Sequence, residues 1–323
     1  MKKTLRTSGL TLLGLSISFF TGLANAAIPS ELKLDYAYYA PTSLVVKEQK
    51  LLEKALPKTK IKWVFSQGSN RSLEYLNSGS TDFASTAGLA AVLSRANGSP
   101  IKTVYIQSQP EWTALVVNKD SNIKSLKDLK GKKIAATKGT DPFLFTLQAL
   151  DTIGLGKRDV ELVHLQHRDG KTALERKQVD AWAGLDPLMA SAQAQSGAKL
   201  LYRNVSFNSY SVLSVKDQFA KSSPEAIEAV IKAYEQARQW AKANPDKLAE
   251  LLAREAKLPI EVAKLQLSRT NLDQNIPTTK HTGALQKAGR ILTEEELVRK
   301  GTNVNQVVTQ LFDARYAKKV VTK

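Results

Sequence analysis

The stretch "NSGSTDFASTAGLAAVLSRANG", residues 77–98, changes within a few residues from a strand pattern to a helical pattern. A second stretch, "VDAWAGLDPLMASAQAQSG", residues 179–197, has the same order. Each contains an acidic residue followed by two small or aromatic residues, Asp82-Phe83-Ala84 in the first and Asp180-Ala181-Trp182 in the second. Short apolar runs that lead into helical spacing are typical of buried strands in α/β proteins. The two stretches therefore predict two copies of one strand and helix unit.

The surrounding sequence extends both copies in the same way. Residues 32–98 alternate strand, helix, strand, helix, strand and helix, and residues 132–197 repeat that order. The segments 112–119 and 209–217 are predicted as strands that cross between the two copies, and the chain after residue 217 is predicted to be mostly helical and to pack against the first copy. Alternation of this kind predicts the α/β class, with two lobes that each contain an open, mainly parallel sheet.

The predicted organisation has three parts. Residues 1–26 form a signal peptide, residues 27–113 and 214–323 form lobe one with the C-terminal helices, and residues 114–213 form lobe two. The two sheets are expected to be joined by a two-strand hinge. Ligands of open α/β sheets bind beyond the carboxyl ends of the strands, so two facing lobes predict a binding cleft between them.

The N-terminus has the three features of a secretory signal. Lys2, Lys3 and Arg6 precede an apolar run at 10–23, and the small residues of 24–26 form a cleavage site. The apolar run of about fourteen residues is shorter than the roughly 20 needed to span a membrane. The chain contains no cysteine, which excludes disulfides and a lipid-modified cysteine after the signal. We expect a freely diffusing periplasmic protein.

The net charge is strongly positive but does not indicate nucleic-acid binding. The chain carries +17, which falls to +14 when the three basic residues of the signal are removed. The basic residues are scattered among acidic ones, as in 232–257, and form no block with interleaved aromatic residues. We expect no nucleic-acid partner.

Sixteen residues in the loops after the predicted strands are the candidate ligand-binding residues. They are Tyr38, Tyr39, Gln67, Ser69, Asn70, Arg71, Ser85, Thr86, Glu111, Trp112, Thr140, Asp141, Phe143, Trp182, Asp186 and Tyr210.

Lobe one offers hydrogen-bond donors for an anion. Ser69, Asn70, Ser85 and Thr86 are predicted at two helix starts, where backbone N–H groups are unpaired and the helix dipole is positive. Arg71 adds a guanidinium that suits a tetrahedral oxyanion. The alternatives are ordinary helix capping for the small residues and an exposed surface charge for Arg71.

Lobe two has a different pattern at its helix starts. Asp141 and Asp186 each precede a proline, which is typical of an N-cap followed by the first helical residue. A capping carboxylate occupies the N–H groups that an anion needs, so lobe one is expected to hold the anionic group while lobe two closes over the rest. Trp112 suits either the core or a cleft wall, and Glu111 needs a cation, a hydroxyl or Arg71 nearby.

No catalytic or metal-binding motif accompanies these loops. His164 and His167 lack a carboxylate at ligand spacing, so a structural or surface role is favoured over a metal site. No nucleophile with an adjacent base and no phosphate-binding loop is present in the sequence. We expect a protein with no cofactor and no metal that is not an enzyme.

The motifs "LEYLNSGSTDFASTAG", "SLKDLKGKKIAATKGT" and "VDAWAGLDP" resemble the nitrate, sulfonate and taurine branch of periplasmic substrate-binding proteins. The resemblance is strongest to the aliphatic-sulfonate-binding proteins of ABC importers and extends from about Leu32 to Val308. It implies a periplasmic-binding-protein-like fold, a small anionic organic ligand, transmembrane permease subunits as partners, and a monomer. In that family, amides and hydroxyls hold the anion. They correspond here to Gln67, Ser69, Asn70, Ser85, Thr86 and Thr140.

Two departures from the family pattern leave the ligand open. Residues 140–142 are Thr-Asp-Pro where the family has a serine-rich loop, and Leu185 replaces an aromatic residue. These changes favour a sulfonate with an amino or hydroxyl group, or a ligand that is not a sulfonate. Taurine, nitrate and another small molecule remain alternatives, as do a cofactor-biosynthesis enzyme of the same fold and a partner of a chemoreceptor.

Overall fold

The computed structural model describes residues 28–321, so the predicted signal peptide at 1–26 lies outside the described residues. Eleven strands are present in this part of the chain. They are β1 Glu31–Tyr36, β2 Lys60–Phe65, β3 Phe83–Ala87, β4 Ile101–Pro110, β5 Leu115–Val117, β6 Lys133–Ala135, β7 Glu161–Val163, β8 Ala181–Ala183, β9 Lys199–Tyr202, β10 Ser211–Lys216 and β11 Thr270–Asn271.

Fourteen α-helices connect and cover these strands within residues 28–321. They are α1 Pro41–Glu48, α2 Leu51–Ala55, α3 Ser69–Ser78, α4 Gly88–Ala96, α5 Asp141–Asp151, α6 His167–Glu175, α7 Leu188–Ser196, α8 Asp217–Ser222, α9 Pro224–Ala243, α10 Pro245–Ala256, α11 Ile260–Leu267, α12 Thr279–Glu294, α13 Val304–Leu311 and α14 Arg315–Val321. Two 3₁₀ helices cover Leu126–Leu129 and Val205–Phe207.

The first helical segment is interrupted where the sequence pattern is continuous. The periodicity of residues 43–56 predicts one helix, but the structure has α1 and α2 with Lys50 between them. Lys50 has a φ of 52°, in the left-handed region, which an α-helix cannot include.

The strands form two sheets with matching order. The six-stranded sheet runs β11-β4-β10-β3-β1-β2, and the five-stranded sheet runs β7-β6-β8-β5-β9. In each sheet three neighbouring strands are parallel, β2-β1-β3 in the first and β7-β6-β8 in the second. An antiparallel strand then follows, β10 beside β3 and β5 beside β8. The predicted α/β fold with two mainly parallel sheets is confirmed.

The two acidic residues of the quoted stretches have the same structural role in their sheets. The Lys33 amide donates to the Asp82 carboxylate at 2.8 Å, and the Asp82 amide donates to the Lys33 carbonyl at 2.7 Å. The Lys133 amide donates to the Asp180 carboxylate at 2.8 Å, and the Asp180 amide returns a bond of 2.9 Å to the Lys133 carbonyl. Each aspartate therefore fixes the start of one parallel strand beside its neighbour.

The chain passes between the sheets in two short segments that are bonded to each other. One segment joins β4 to β5 and the other joins β9 to β10. Asn208 in the second segment accepts from the Thr113 amide at 2.8 Å in the first. Arg203 forms a bidentate pair with Glu111 at 2.6 and 2.8 Å. These contacts make the two crossings one connected unit.

The C-terminal helices contact helices that cover each of the two sheets. Helix α9 packs against α1 and α14, and α12 and α13 pack against α4, as the prediction of packing on lobe one requires. Helix α12 also contacts α5, where Arg290 and Asp151 form an ion pair at 2.5 Å, and α11 contacts α7. The segment therefore bridges the two halves, and the lobe boundaries themselves remain a prediction.

None of the helices in residues 28–321 is both long enough and apolar enough to cross a membrane.

A buried carboxylate that the sequence analysis did not identify positions the loops of the first sheet. Asp35, in β1, is fully buried and accepts bonds from Ser66 Oγ at 2.8 Å, Ser72 Oγ at 2.5 Å and the Ser85 amide at 2.7 Å. Burial raises its pKa to about 6, against the effect of these bonds. Asp35 thus connects the loop after β2, helix α3 and strand β3.

Asp35→Ala is expected to lower the free energy of unfolding by about 3 kcal/mol, because it leaves buried donors without an acceptor. Chemical denaturation monitored by circular dichroism measures this loss. Asp180→Ala is the matched control, since Asp180 is only partly buried and water replaces its carboxylate; its expected loss is about 1 kcal/mol. Equal losses in the two variants would contradict the structural role of Asp35.

Candidate functional site

A cavity of about 80 Å³ lies between the two halves of the molecule, beyond the carboxyl ends of strands from both sheets. The first half contributes Tyr38, Tyr39, Phe65, Ser66 and Gln67, the second half contributes His167, Arg168, Leu185, Asp186, Pro187 and Leu188, and the C-terminal segment contributes Ala256 and Leu258. Four of the sixteen predicted residues line this cavity. They are Tyr38, Tyr39, Gln67 and Asp186.

Aromatic rings form one wall of the cavity. The Tyr38 and Phe65 rings lie 4.6 Å apart between centroids. The Tyr39 hydroxyl donates to the Ser85 carbonyl at 2.9 Å, and its ring meets the edge of Trp112 at 5.8 Å. Burial raises the pKa of Tyr39, so its hydroxyl stays protonated. These fixed rings give the cavity an apolar surface.

The start of helix α3 presents backbone donors next to this wall. Ser69 Oγ accepts from the Ala87 amide at 2.9 Å and does not cap its own helix. Within residues 28–321, the amides of Ser69 and Asn70 have no acceptor, and Asn70 Oδ1 is buried without a donor. The first amides of a helix carry its positive dipole end, so this start retains capacity for an anion.

The start of helix α4 differs from the prediction. Ser85 and Thr86 lie inside β3, and the helix begins two residues later, at Gly88. The Gly88 amide donates to the Tyr210 carbonyl at 2.8 Å, and the next amide donates to Ser209 Oγ at 3.1 Å. The expectation of a second open helix start is wrong, because the crossing that leads into β10 already occupies these donors.

Two predicted charged residues are paired away from the cavity. Arg71 is exposed on α3 and forms an ion pair with Glu74 at 2.6 Å. Glu111 pairs with Arg203 in the crossings and not with Arg71. Neither side chain lines the cavity.

Asp141 is not a helix cap. It is the first residue of α5, after the N-cap Thr140, and its carboxylate accepts from Trp112 Nε1 at 3.0 Å and from the amide and hydroxyl of Ser209 at 2.8 and 2.7 Å. Burial raises the pKa of Asp141, while these bonds oppose that rise. Asp141 therefore fixes lobe two to both crossings, a role that the prediction of an N-cap missed.

Asp186 connects the two halves. Its Oδ1 accepts from the Ala190 amide of α7 at 2.9 Å, which agrees with the expected helix-start role, although Pro187 takes the N-cap position. The same oxygen contacts Arg269 Nη2 at 3.1 Å, and Arg269 Nη1 donates to Gln193 at 2.8 Å. Burial raises the pKa of Asp186 to about 7, and the Arg269 charge opposes that rise. Both side chains of this ion pair are buried.

The remaining predicted aromatic residues lie in the packed interior. Trp182 is 1% exposed and packs against Gly170, where a Cβ would stand 2.7 Å from the indole. Phe143 is buried, and Tyr210 meets His281 edge-on at 4.5 Å. None of the three lines the cavity.

His167 is the main site residue that sequence reasoning missed. Its ring is 2% exposed at the start of α6, and Nδ1 lies 3.1 Å from Thr137 Oγ1. The predicted residue Thr140 lies nearby and donates to the Thr137 carbonyl at 2.6 Å. Burial lowers the pKa of His167 to about 3, so the ring is neutral at pH 7. Its position after β7 was the available signal, but the sequence pattern was interpreted as a structural or surface histidine in preference to a metal ligand.

Metal-binding clusters are absent from residues 28–321, where no three His, Cys, Asp or Glu side chains are arranged to hold an ion. The paired carboxylates at Glu111, Asp141 and Asp186 all have protein partners.

A family model described as NMT1/THI5 like matches residues 60–248, which is more than half of the chain. The chain belongs to the NMT1/THI5-like family. A relative of this chain from Escherichia coli K12 is named as an aliphatic sulfonates-binding protein. It is 29% identical over 299 residues, covering 92% of this chain and 93% of the relative. The resemblance stated from the sequence motifs is confirmed.

Solved structures that are similar in fold to this chain include a binding protein and an enzyme. The alkanesulfonate-binding protein SsuA from Xanthomonas axonopodis pv. citri has a TM-score of 0.81 at 24% identity, covering 87% of this chain and 98% of that one. The desulfurization enzyme DszB has a TM-score of 0.66 at 16% identity, covering 91% and 99%. At these identities the two structures establish the fold alone.

Arg269→Ala is expected to lower the free energy of unfolding by about 3 kcal/mol at pH 8, because it leaves the Asp186 carboxylate buried without its cation. The loss should be smaller at pH 5.5, where Asp186, with its pKa near 7, is protonated. Urea denaturation at both pH values measures the difference.

Arg254→Ala is the control for this variant. Arg254 forms an exposed ion pair with Glu48, and such pairs contribute less than about 1 kcal/mol. A loss at Arg269 as small as the loss at Arg254, and independent of pH, would show that the buried pair does not connect the halves.

Proposed function

We propose that this chain is the periplasmic solute-binding component of an ABC importer. It captures a small organosulfonate between its lobes and delivers it, as a monomer, to the transmembrane subunits of a permease. The observation that carries the proposal is the cavity between two facing sheets. It occurs in a chain of which 92% matches a relative that is named as an aliphatic sulfonates-binding protein.

The sulfonate group is assigned to the start of α3. The unpaired amides of Ser69 and Asn70 lie two and three residues after Gln67, which lines the cavity. Backbone donors at a helix start bind an anion without a buried counter-charge, because the helix dipole is positive there. Arg168 is exposed at the edge of the cavity and adds a positive charge on the opposite lobe.

The organic part of the ligand is assigned to the aromatic wall. Tyr38 and Phe65 face the cavity from lobe one, and Leu185 faces it from lobe two. These side chains bury a short carbon chain by the hydrophobic effect and offer little to a bare sulfate or nitrate ion.

The size of the cavity favours a small ligand. A cavity of about 80 Å³ suits a ligand with a short carbon chain, such as a two-carbon or three-carbon sulfonate, better than a large organic anion.

Ligand entry requires the lobes to separate. A Cβ built on Gly68 would stand 2.6 Å from His167 Nε2, so the two lobes are in direct contact beside the cavity. The crossings bonded through Glu111 and Arg203, and through Thr113 and Asn208, are the assigned hinge. Rotation about two short segments opens a cleft without unfolding either sheet.

Calorimetric titration of the mature protein, refolded from denaturant to remove carried ligand, tests the proposed ligand class. Ethanesulfonate, propanesulfonate, taurine and isethionate are compared with sulfate and nitrate. Dissociation constants of micromolar or below are expected for at least one sulfonate, with no heat from the inorganic ions. Binding of nitrate or sulfate alone, or of no sulfonate, would contradict the proposal.

Gly68→Ala tests the position of the site. The added methyl group conflicts with the buried His167 ring, prevents the lobes from meeting and is expected to weaken sulfonate binding at least tenfold. Gly283→Ala is the matched control, because nothing lies within 4 Å of its Cβ position. Unchanged affinity in Gly68→Ala, with the fold intact by circular dichroism, would place the ligand elsewhere.

A further inference from the structure

The hydrogen bonds around His167 fix which of its ring nitrogens carries the proton. Thr137 has one hydroxyl proton, and it donates that proton to the Leu165 carbonyl at 2.7 Å. Thr137 Oγ1 must therefore accept from His167 Nδ1 at 3.1 Å. Nδ1 carries the proton of the neutral ring, and Nε2 has a free lone pair.

This lone pair lies in the cavity region without a protein donor. His167 is 2% exposed and lines the cavity, and no residue among 28–321 donates to Nε2. The ring lies against Gly68, which leads into the helix start assigned to the sulfonate. A buried acceptor with no donor costs free energy, so a bound ligand that supplies a donor to Nε2 gains affinity.

A second acceptor lines the same cavity. Asp186 is 1% exposed, and its Oδ1 takes both the Ala190 amide and Arg269. Its Oδ2 has no donor within the described residues. Sulfonate oxygens are acceptors and cannot satisfy either His167 Nε2 or the Oδ2 atom of an ionised Asp186. The cavity region thus combines backbone donors at the start of α3 with two unpartnered acceptors from the other lobe.

We propose that His167 is a specificity-determining residue. Its Nε2 accepts a hydrogen bond from a hydroxyl or amino group on the carbon chain of the ligand, so that the protein prefers donor-bearing sulfonates to plain alkanesulfonates. Asp186 Oδ2 supports the same selection. The assignment rests on the proposed function and narrows its ligand class.

Three ligands of equal size isolate the donor. Propanesulfonate, isethionate and taurine each have seven non-hydrogen atoms and differ in a terminal methyl, hydroxyl or ammonium group. Calorimetry at pH 7.5 is expected to show that isethionate or taurine binds at least tenfold more tightly than propanesulfonate, because propanesulfonate leaves the acceptors unpaired. The better of the two identifies the donor as a hydroxyl or an ammonium group.

Substitution of His167 tests whether this residue causes the preference. His167→Phe retains a planar ring without the acceptor. The ratio of the affinity for isethionate or taurine to the affinity for propanesulfonate is expected to fall at least fivefold in this variant. His164→Phe is the matched control, because His164 is exposed and does not line the cavity. The affinity ratio of His164→Phe is expected to equal that of the wild type.

A spectroscopic readout keeps the test independent of the folding of the variant. The chain has only three histidines, so ¹⁵N-labelled imidazole signals are readily assigned in the wild type. The Nε2 signal of His167 is expected to show an unprotonated nitrogen that shifts with isethionate or taurine and much less with propanesulfonate.

The outcomes separate this assignment from the proposed function. Equal affinity for all three ligands, a preference that persists in His167→Phe, or a protonated Nε2 overturns the role of His167 and leaves sulfonate binding intact. If neither these three ligands nor ethanesulfonate binds to the wild type, the proposed function fails, and the assignment fails with it.

Discussion

Buried carboxylates that accept hydrogen bonds from distant segments are the interaction on which the cleft depends. Asp35 accepts hydrogen bonds from three segments of the first sheet and its loops. Asp141 connects lobe two to both crossings, and Asp186 pairs with Arg269 across the two halves. Each carboxylate is 2% exposed or less. A buried charge is stable only when donors surround it, so these contacts determine where the loops lie.

The same contacts explain why the cleft is suited to binding. Asp141 and Glu111 use their carboxylates on Trp112, Ser209 and Arg203, and Asp186 retains a single unpartnered oxygen. What faces the cavity is a set of fixed donors, acceptors and aromatic rings. Such a set favours recognition of a small ligand by shape and hydrogen bonding.

The fold was predictable from the sequence because its determinants are local and repeated. The order of strands and helices around Asp82 and Asp180 gives the two matching sheets, and the crossings follow from the strands between them. Tyr38 and Tyr39 were identified because they directly follow the first strand. The break at Lys50 was missed, since its left-handed conformation leaves no mark in the hydrophobic pattern.

The site was only partly predictable because its contacts join residues far apart in the chain. Arg269 meets Asp186 across 83 positions, and no sequence pattern connects them. The small residues before α4 suggested an anion site at the start of that helix, but Ser209 Oγ accepts the hydrogen bond of an amide there. In the sequence, His167 cannot be distinguished from an ordinary buried histidine. Only the folded structure shows that Nδ1 contacts Thr137 while Nε2 faces Gly68.

The most direct test of the account is the distance between the lobes with and without ligand. The chain has no cysteine, so Lys54→Cys on α2 and Arg176→Cys after α6, both exposed, give one spin label on each lobe. Pulsed electron resonance should show a longer or broader distance in the stripped protein and a single shorter one when a bound sulfonate closes the cleft. An unchanged distance in a sample that calorimetry shows to be saturated would contradict capture of the ligand between the lobes.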